Sequence, residues 1–365
     1  MLTSVKVRNV GSVGFASVTL EKAGYRYLEQ YVLADKVSNP IAIYGCNGSG
    51  KSSFLGAFTS LVGLLDDEPD KISGFVPNIL AQTKDITTEY GAELEFILAD
   101  KHYRYYLFED NDGIAREGLV VDHVEVLVRN RDKYTYRDGT HRIESRLYPA
   151  LRDVVAKGIA DSVASEAFGY LSNIAYVRFN TNEYKVKAFR DKALLDVMAE
   201  KSQEVRRLLN QYRAFPSYDI VSFPDITEKK RYTARLDIGD GQLTLPVSMI
   251  SDGMINQSML LSILSSLPKN GVLVVDEIDR ALHPLTLMDF INVAVEKGVQ
   301  LIFSGHNTNV LSRLRPDNIV FADWHAGFST YKRLSDIYPN IREVNNIEKM
   351  YLSSTFDALI KGRTE

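Results

Sequence analysis

Pro40-Ile41-Ala42-Ile43-Tyr44 runs directly into Gly45-Cys46-Asn47-Gly48-Ser49-Gly50-Lys51-Ser52, and Ser53-Phe54-Leu55-Gly56-Ala57-Phe58 follows. The apolar run reads as a buried parallel strand, and the last stretch as the start of a helix. Strand, glycine loop, helix is the setting in which Gly-x-x-x-x-Gly-Lys-Ser cradles phosphates. Small residues let successive backbone N–H groups turn inward, and the helix N terminus adds its positive dipole end. The expected nucleotide contacts are Gly45, Asn47, Gly48, Ser49, Gly50, Lys51, Ser52 and Ser53, with ATP as the ligand. Lys51 would reach the β- and γ-phosphates, and the Ser52 hydroxyl would ligate Mg²⁺. Cys46 reads as a small filler in the loop rather than a redox switch.

A second chemical signal lies more than 200 residues downstream. Leu273-Val274-Val275-Asp276-Glu277 is an apolar strand ending in two carboxylates. In a parallel sheet the phosphate loop and the C-terminal ends of neighbouring strands share one edge. Asp276 is therefore the expected metal carboxylate, direct or through water, and Glu277 the residue that orients or deprotonates attacking water. Alone, the pair would be two solvated carboxylates at a strand end; the phosphate loop gives it meaning.

The rest of the 365-residue chain sets bounds. Its 45% hydrophobic and 25% charged residues are those of an ordinary globular protein. A net charge of −4 gives no global electrostatic case for nucleic acid, which stays open but unsupported. The single cysteine excludes an internal disulfide framework. No apolar run reaches the roughly 18 residues that span a bilayer, and the charged, alternating start is unlike a signal peptide. The expected location is the cytoplasm, with no membrane partner.

Along the chain, the first 22 residues and 90–138 read as strands, 143–213 as mostly helical, and 217–245 as strands again. Lys187 to Tyr212 reads as one charged amphipathic helix, about 40 Å long. The expected division is a discontinuous ATP-binding core, 1–89 and 246–335, an inserted lobe, 90–245, and a helical tail, 336–365. Lys185, Lys187, Arg190, Lys192, Lys229, Lys230 and Arg231 could gather into a basic patch, although an ordinary solvated face is the better reading at this net charge.

Three further features narrow the class. Ser251-Asp252-Gly253 opens a helix, Ile278-Asp279-Arg280-Ala281-Leu282-His283-Pro284 follows Glu277, and Leu301-Ile302-Phe303 ends in Ser304-Gly305-His306-Asn307-Thr308-Asn309. In that order they resemble the ABC/SMC-type ATPases. Within that class the chain resembles the small AAA-family ATPases of bacterial abortive-infection and OLD-like phage-defence systems. The resemblance implies an α/β fold with an ABC/SMC-like nucleotide-binding domain, a mixed sheet with flanking helices, split by the inserted strand-and-helix lobe. It implies that Ser251 and Gly253 act as signature residues on the γ-phosphate held by a second copy of the chain, and that His306 is a switch histidine. Two ATP molecules would then be sandwiched in a homodimer, with a higher homo-oligomer left open. By the same resemblance, a glutamine completing the metal site is expected between the phosphate loop and the signature, and Gln82 is the best-placed candidate. The class aspartate after the acidic pair falls at His283, which leaves its role across the dimer in doubt.

After His306 only 59 residues remain, too few for the nuclease domain that OLD-type proteins carry there. A separately encoded effector, a nuclease or toxin, is therefore expected. The alternatives are a RecF/SMC-like DNA-repair ATPase that binds DNA directly and, more weakly, a transporter ATPase subunit. The mid-chain lobe and Leu282-His283-Pro284 are foreign to the latter.

Overall fold

The computed structural model describes residues 1–66, 74–78, 89–179, 183–185, 193–212, 218–224, 229–238, 241–325 and 327–356. In chain order the first elements are β1 (Leu2–Val10), β2 (Val13–Thr19), β3 (Ile41–Tyr44), α1 (Lys51–Asp66) and the strands β4 (Tyr90–Leu98), β5 (Lys101–Asp110), β6 (Gly113–Val121), β7 (Val124–Asn130), β8 (Lys133–Tyr136) and β9 (Gly139–Arg142). Helices α2 (Ala150–Ala156) and α3 (Ser162–Ser172) lead to β10 (Ile174–Arg178) and β11 (Glu183–Lys185). Next come α4 (Leu194–Glu200), α5 (Ser202–Tyr212), β12 (Tyr218–Pro224), β13 (Lys230–Ile238) and β14 (Gly241–Pro246). The chain returns through α6 (Asp252–Ser266), β15 (Val272–Asp276), α7 (Pro284–Glu296), β16 (Gln300–Ser304), β17 (Ile319–His325), β18 (Phe328–Arg333), α8 (Leu334–Ile337) and α9 (Ile347–Leu352).

One sheet of 15 strands has the order β11-β10-β15-β16-β3-β17-β18-β2-β1-β4-β5-β6-β7-β8-β9. Its centre, β10-β15-β16-β3-β17, is parallel. The strands β3, β15 and β16 are buried at every position, as expected where helices cover both faces. Helix α1 closes one face over Ile43, Val274 and Ile302. Helices α6 and α7 close the other over Tyr44, Leu273, Val275 and Phe303. Beyond β2 the strands pair antiparallel, and their faces alternate, as in β5.

The sheet attaches the expected inserted lobe differently. Strands β4 to β9 do not stand apart; they continue the main sheet from the free edge of β1, with Val5 opposite Leu94. An unpaired edge on β1 would expose a row of backbone groups, and β4 covers it. The stretch expected to be mostly helical contains β10, which pairs parallel to the acidic strand β15. A short apolar run such as Ile174-Ala175-Tyr176-Val177 reads equally well as buried helix or buried strand. The single helix expected over 187–212 is, within the described residues, two helices parted at Lys201. Only β12-β13-β14 form a separate sheet.

The described part of the tail is no free extension. Tyr351 and Phe356 stack on Phe321 of β17 with ring centroids 5.1 and 5.4 Å apart. At the opposite end of the chain, buried Gln300 exchanges two hydrogen bonds with the Leu2 backbone, of 3.0 and 2.8 Å.

Candidate nucleotide site

The glycine loop leaves β3 at the C-terminal edge of the parallel strands and enters α1 at Lys51. Gly48 and Gly50 have φ of +79° and +95°, a region L side chains avoid. At Gly50 a Cβ would also lie 2.1 Å from Ser329 Oγ. The Lys51 ammonium is almost wholly buried and donates to the carbonyls of Gly45 at 2.8 Å and Cys46 at 3.1 Å. Burial pulls it below the ordinary lysine value, opposed by Asp276, Cys46, Glu277 and Asp279. Ser49 Oγ is buried with no hydrogen-bond partner among the described residues.

Asp276 ends β15 fully buried. One carboxylate oxygen accepts from Ser304 Oγ at 2.6 Å, the other from Arg178 Nε at 3.0 Å. Glu277 turns into the left-handed region, φ 59° and ψ 52°, which swings its side chain off the strand line. Such a conformation costs roughly 1 kcal/mol or more in a non-glycine residue and is concentrated at functional sites. It is held by the Glu277 N–H donating to Ser304 Oγ at 2.9 Å and by an ion pair with Arg280.

A cleft of about 300 Å³ is lined by Ser12, Asn47, Gly48, Gly50, Lys51, Ser52, Ser53, Glu277 and His306. The loop, the second carboxylate and His306 thus meet in one place. Asp276 lies beneath them, and Ser251 and Gly253 do not line the cleft. They are exposed at the N terminus of α6, where Ser251 Oγ caps the helix by accepting from the Met254 N–H. Gln82 lies outside the described residues. So do Lys187, Arg190 and Lys192 of the basic group, while Lys230 pairs with Asp196 at 2.6 Å.

Three residues that the sequence reading gave no role of their own have a part in the site. Asp279 accepts the backbone N–H groups of both His306 and Asn307 in one carboxylate oxygen. Its side chain thereby fastens the turn after Glu277 to the loop at His306-Asn307. Arg178 arrives on β10, the strand not read from sequence. Ser12, at the β1–β2 turn, contacts Ser53 Oγ at 3.1 Å and Ser329 Oγ at 2.7 Å, bracing the loop from below. For Asp279 a signal was available, since an acidic residue two positions after the carboxylate pair stands at the same sheet edge. Nothing local marks Ser12 or Arg178.

The donor set fits a nucleoside triphosphate with Mg²⁺. A buried lysine and an unpartnered serine hydroxyl beside a helix N terminus suit an anion. Ser52 would hold the metal directly. Asp276, with both oxygens already engaged, would hold it through water.

Residues 41–312 match the family described as AAA domain, putative AbiEii toxin, Type IV TA system. Among solved structures, the chain is similar to an SMC head bound to the C-winged helix domain of ScpA, with a TM-score of 0.54 and 15% identity over 91% of this chain and 97% of that one. The SMC head domain from Thermotoga maritima gives 0.47 and 14% over 91% and 98%. No curated protein sequence matches. The likeness to the SMC head is one of fold, and its mixed sheet with flanking helices is the fold found here. The family match covers the phosphate loop, the acidic strand and His306 together, and the chain therefore belongs to this AAA-domain family, an ABC/SMC-like P-loop ATPase resembling abortive-infection AAA proteins.

Proposed function

We propose that the chain binds ATP with Mg²⁺ and hydrolyses it as half of a head-to-tail homodimer that acts as an ATP-gated switch. The observation that carries this is the gathering of the phosphate loop, Glu277 and His306 in one cleft while Ser251 and Gly253 stand exposed outside it. A helix N terminus bearing Ser and Gly suits an anion presented by another molecule.

The division of labour follows from the side chains. Loop amides and Lys51 bind the β- and γ-phosphates. Glu277, held by its left-handed turn, orients the attacking water and takes its proton, and His306 steadies the γ-phosphate. Mg²⁺, when bound, would neutralise phosphate charge as it builds on the bridging oxygen. Closure of a second subunit would bring Ser251 and Gly253 onto the γ-phosphate, so that ATP favours the dimer and hydrolysis releases it.

The family description, which names a putative AbiEii toxin, favours a place in bacterial anti-phage defence, and we propose a separately encoded nuclease or toxin as effector. The test is phosphate release by the purified chain, with and without Glu277→Gln. Loss of turnover with retained ATP and a trapped dimer is the expected result. A Glu277→Gln protein that hydrolyses ATP at the wild-type rate would sink the catalytic assignment. Co-expression with the neighbouring gene product tests the effector, which should co-purify with the chain.

A further inference from the structure

The chain's single tryptophan takes no part in its core. Trp324 is 54% exposed near the C-terminal end of β17, although indole is among the side chains that gain most from burial. Strand β17 runs parallel to β3, with Phe321 opposite Tyr44, so both end at the edge where the glycine loop begins. The approach there is close. A Cβ on Gly45 would lie 2.1 Å from the Ala322 carbonyl oxygen, and Ser329, which abuts Gly50, is the residue paired with Trp324.

Direction narrows the assignment. Ala322 belongs with Val320 to the sheet face covered by α1. Trp324 continues that face past the end of β3, about 7 Å beyond Ala322 along the strand and still paired with β18. Glu277 and His306 follow β15 and β16, on one side of β3, whereas β17 and β18 lie on the other. A triphosphate whose terminal phosphate points at Glu277 must send its ribose and base the opposite way. From these placements we infer that Trp324 is the stacking platform for the purine base of the bound nucleotide. The inference rests on the reading of residues 45–52 as a triphosphate cradle.

A lone tryptophan makes the test direct. Mg·ATP titrated into the full chain should shift or quench its emission, whereas inorganic tripolyphosphate should bind and leave the emission unchanged. By calorimetry, Trp324→Ala should weaken ATP about tenfold, leave tripolyphosphate affinity unaltered, and be rescued by Trp324→Phe. Unchanged ATP affinity in Trp324→Ala would overturn the platform and leave the phosphate site standing. Equal emission changes with ATP and tripolyphosphate would do the same. Failure of both ligands to bind the wild-type chain would overturn the cradle and the platform together.

Discussion

The carboxylate of Asp279 accepts the backbone N–H of His306, tying the turn after Glu277 to the loop that carries His306. The same oxygen takes the Asn307 N–H at 3.2 Å, and Tyr44 Oη donates to the Asn307 carbonyl at 2.8 Å. His306 is therefore placed by its backbone, from two sides. Asp279→Ala would remove the acceptor of both amides and release the loop that carries His306. We expect kcat to fall about tenfold or more while ATP affinity stays near wild type, measured by steady-state phosphate release and calorimetry. Parallel losses in both would show that Asp279 holds the cleft as a whole.

Lys51→Ala should abolish nucleotide binding. The ammonium sits among loop carbonyls and is the cleft's only described lysine. No heat of ATP binding should be detected, while the far-ultraviolet circular dichroism stays wild type. Retained ATP affinity would move the phosphate contact elsewhere.

The dimer can be tested through Gly253. Nothing lies within 4 Å of a Cβ built there, so Gly253→Asp should fold normally. It would nevertheless set a negative charge against the partner's γ-phosphate and abolish hydrolysis. Mixing Gly253→Asp with Lys51→Ala should restore about a quarter of the wild-type rate, because half the dimers would carry one intact composite site. A mixture as inactive as its components would argue that each site works within one chain.

Glu109 gives a pH dependence independent of the nucleotide. Its buried carboxyl accepts the Phe75 N–H at 2.7 Å, and burial raises its pKa from the ordinary 4.5 to about 7. The folded chain thus keeps a proton that the unfolded chain releases. The contribution of this group is full below about pH 4.5 and is lost as pH rises through 7, by about 3 kcal/mol in total. Glu109→Gln should remove that slope and make the protein more resistant to urea at pH 8 than wild type. An unchanged difference between midpoints at pH 5.5 and pH 8 would count against it.

The parts legible in sequence are those whose signal is local. Residues 41–44, 272–275 and 301–303 are wholly apolar, and their burial on both faces follows from that. The phosphate loop, the acidic pair and His306 announce themselves by residue type and order. What escaped depends on pairing at a distance. Nothing in Ile174–Arg178 says that it lies beside β15, almost 100 residues away, and without that neighbour Arg178 has no visible role. Likewise Tyr90–Leu98 reads as a strand, but its partner β1 follows only from the need to cover an edge. Ser12 matters because its turn meets both Ser53 of α1 and Ser329 of β18.

The position of β3 between β16 and β17 carries a consequence for how the protein comes into being. The strand that launches the phosphate loop is made early, yet both its hydrogen-bonded neighbours are encoded some 260 or more residues later. Pairings so distant in sequence form late. A nascent chain on the ribosome therefore carries an intact glycine motif with no sheet to hold it. Nucleotide competence arrives only once translation has passed β17, so prematurely terminated fragments would not draw on the cell's ATP.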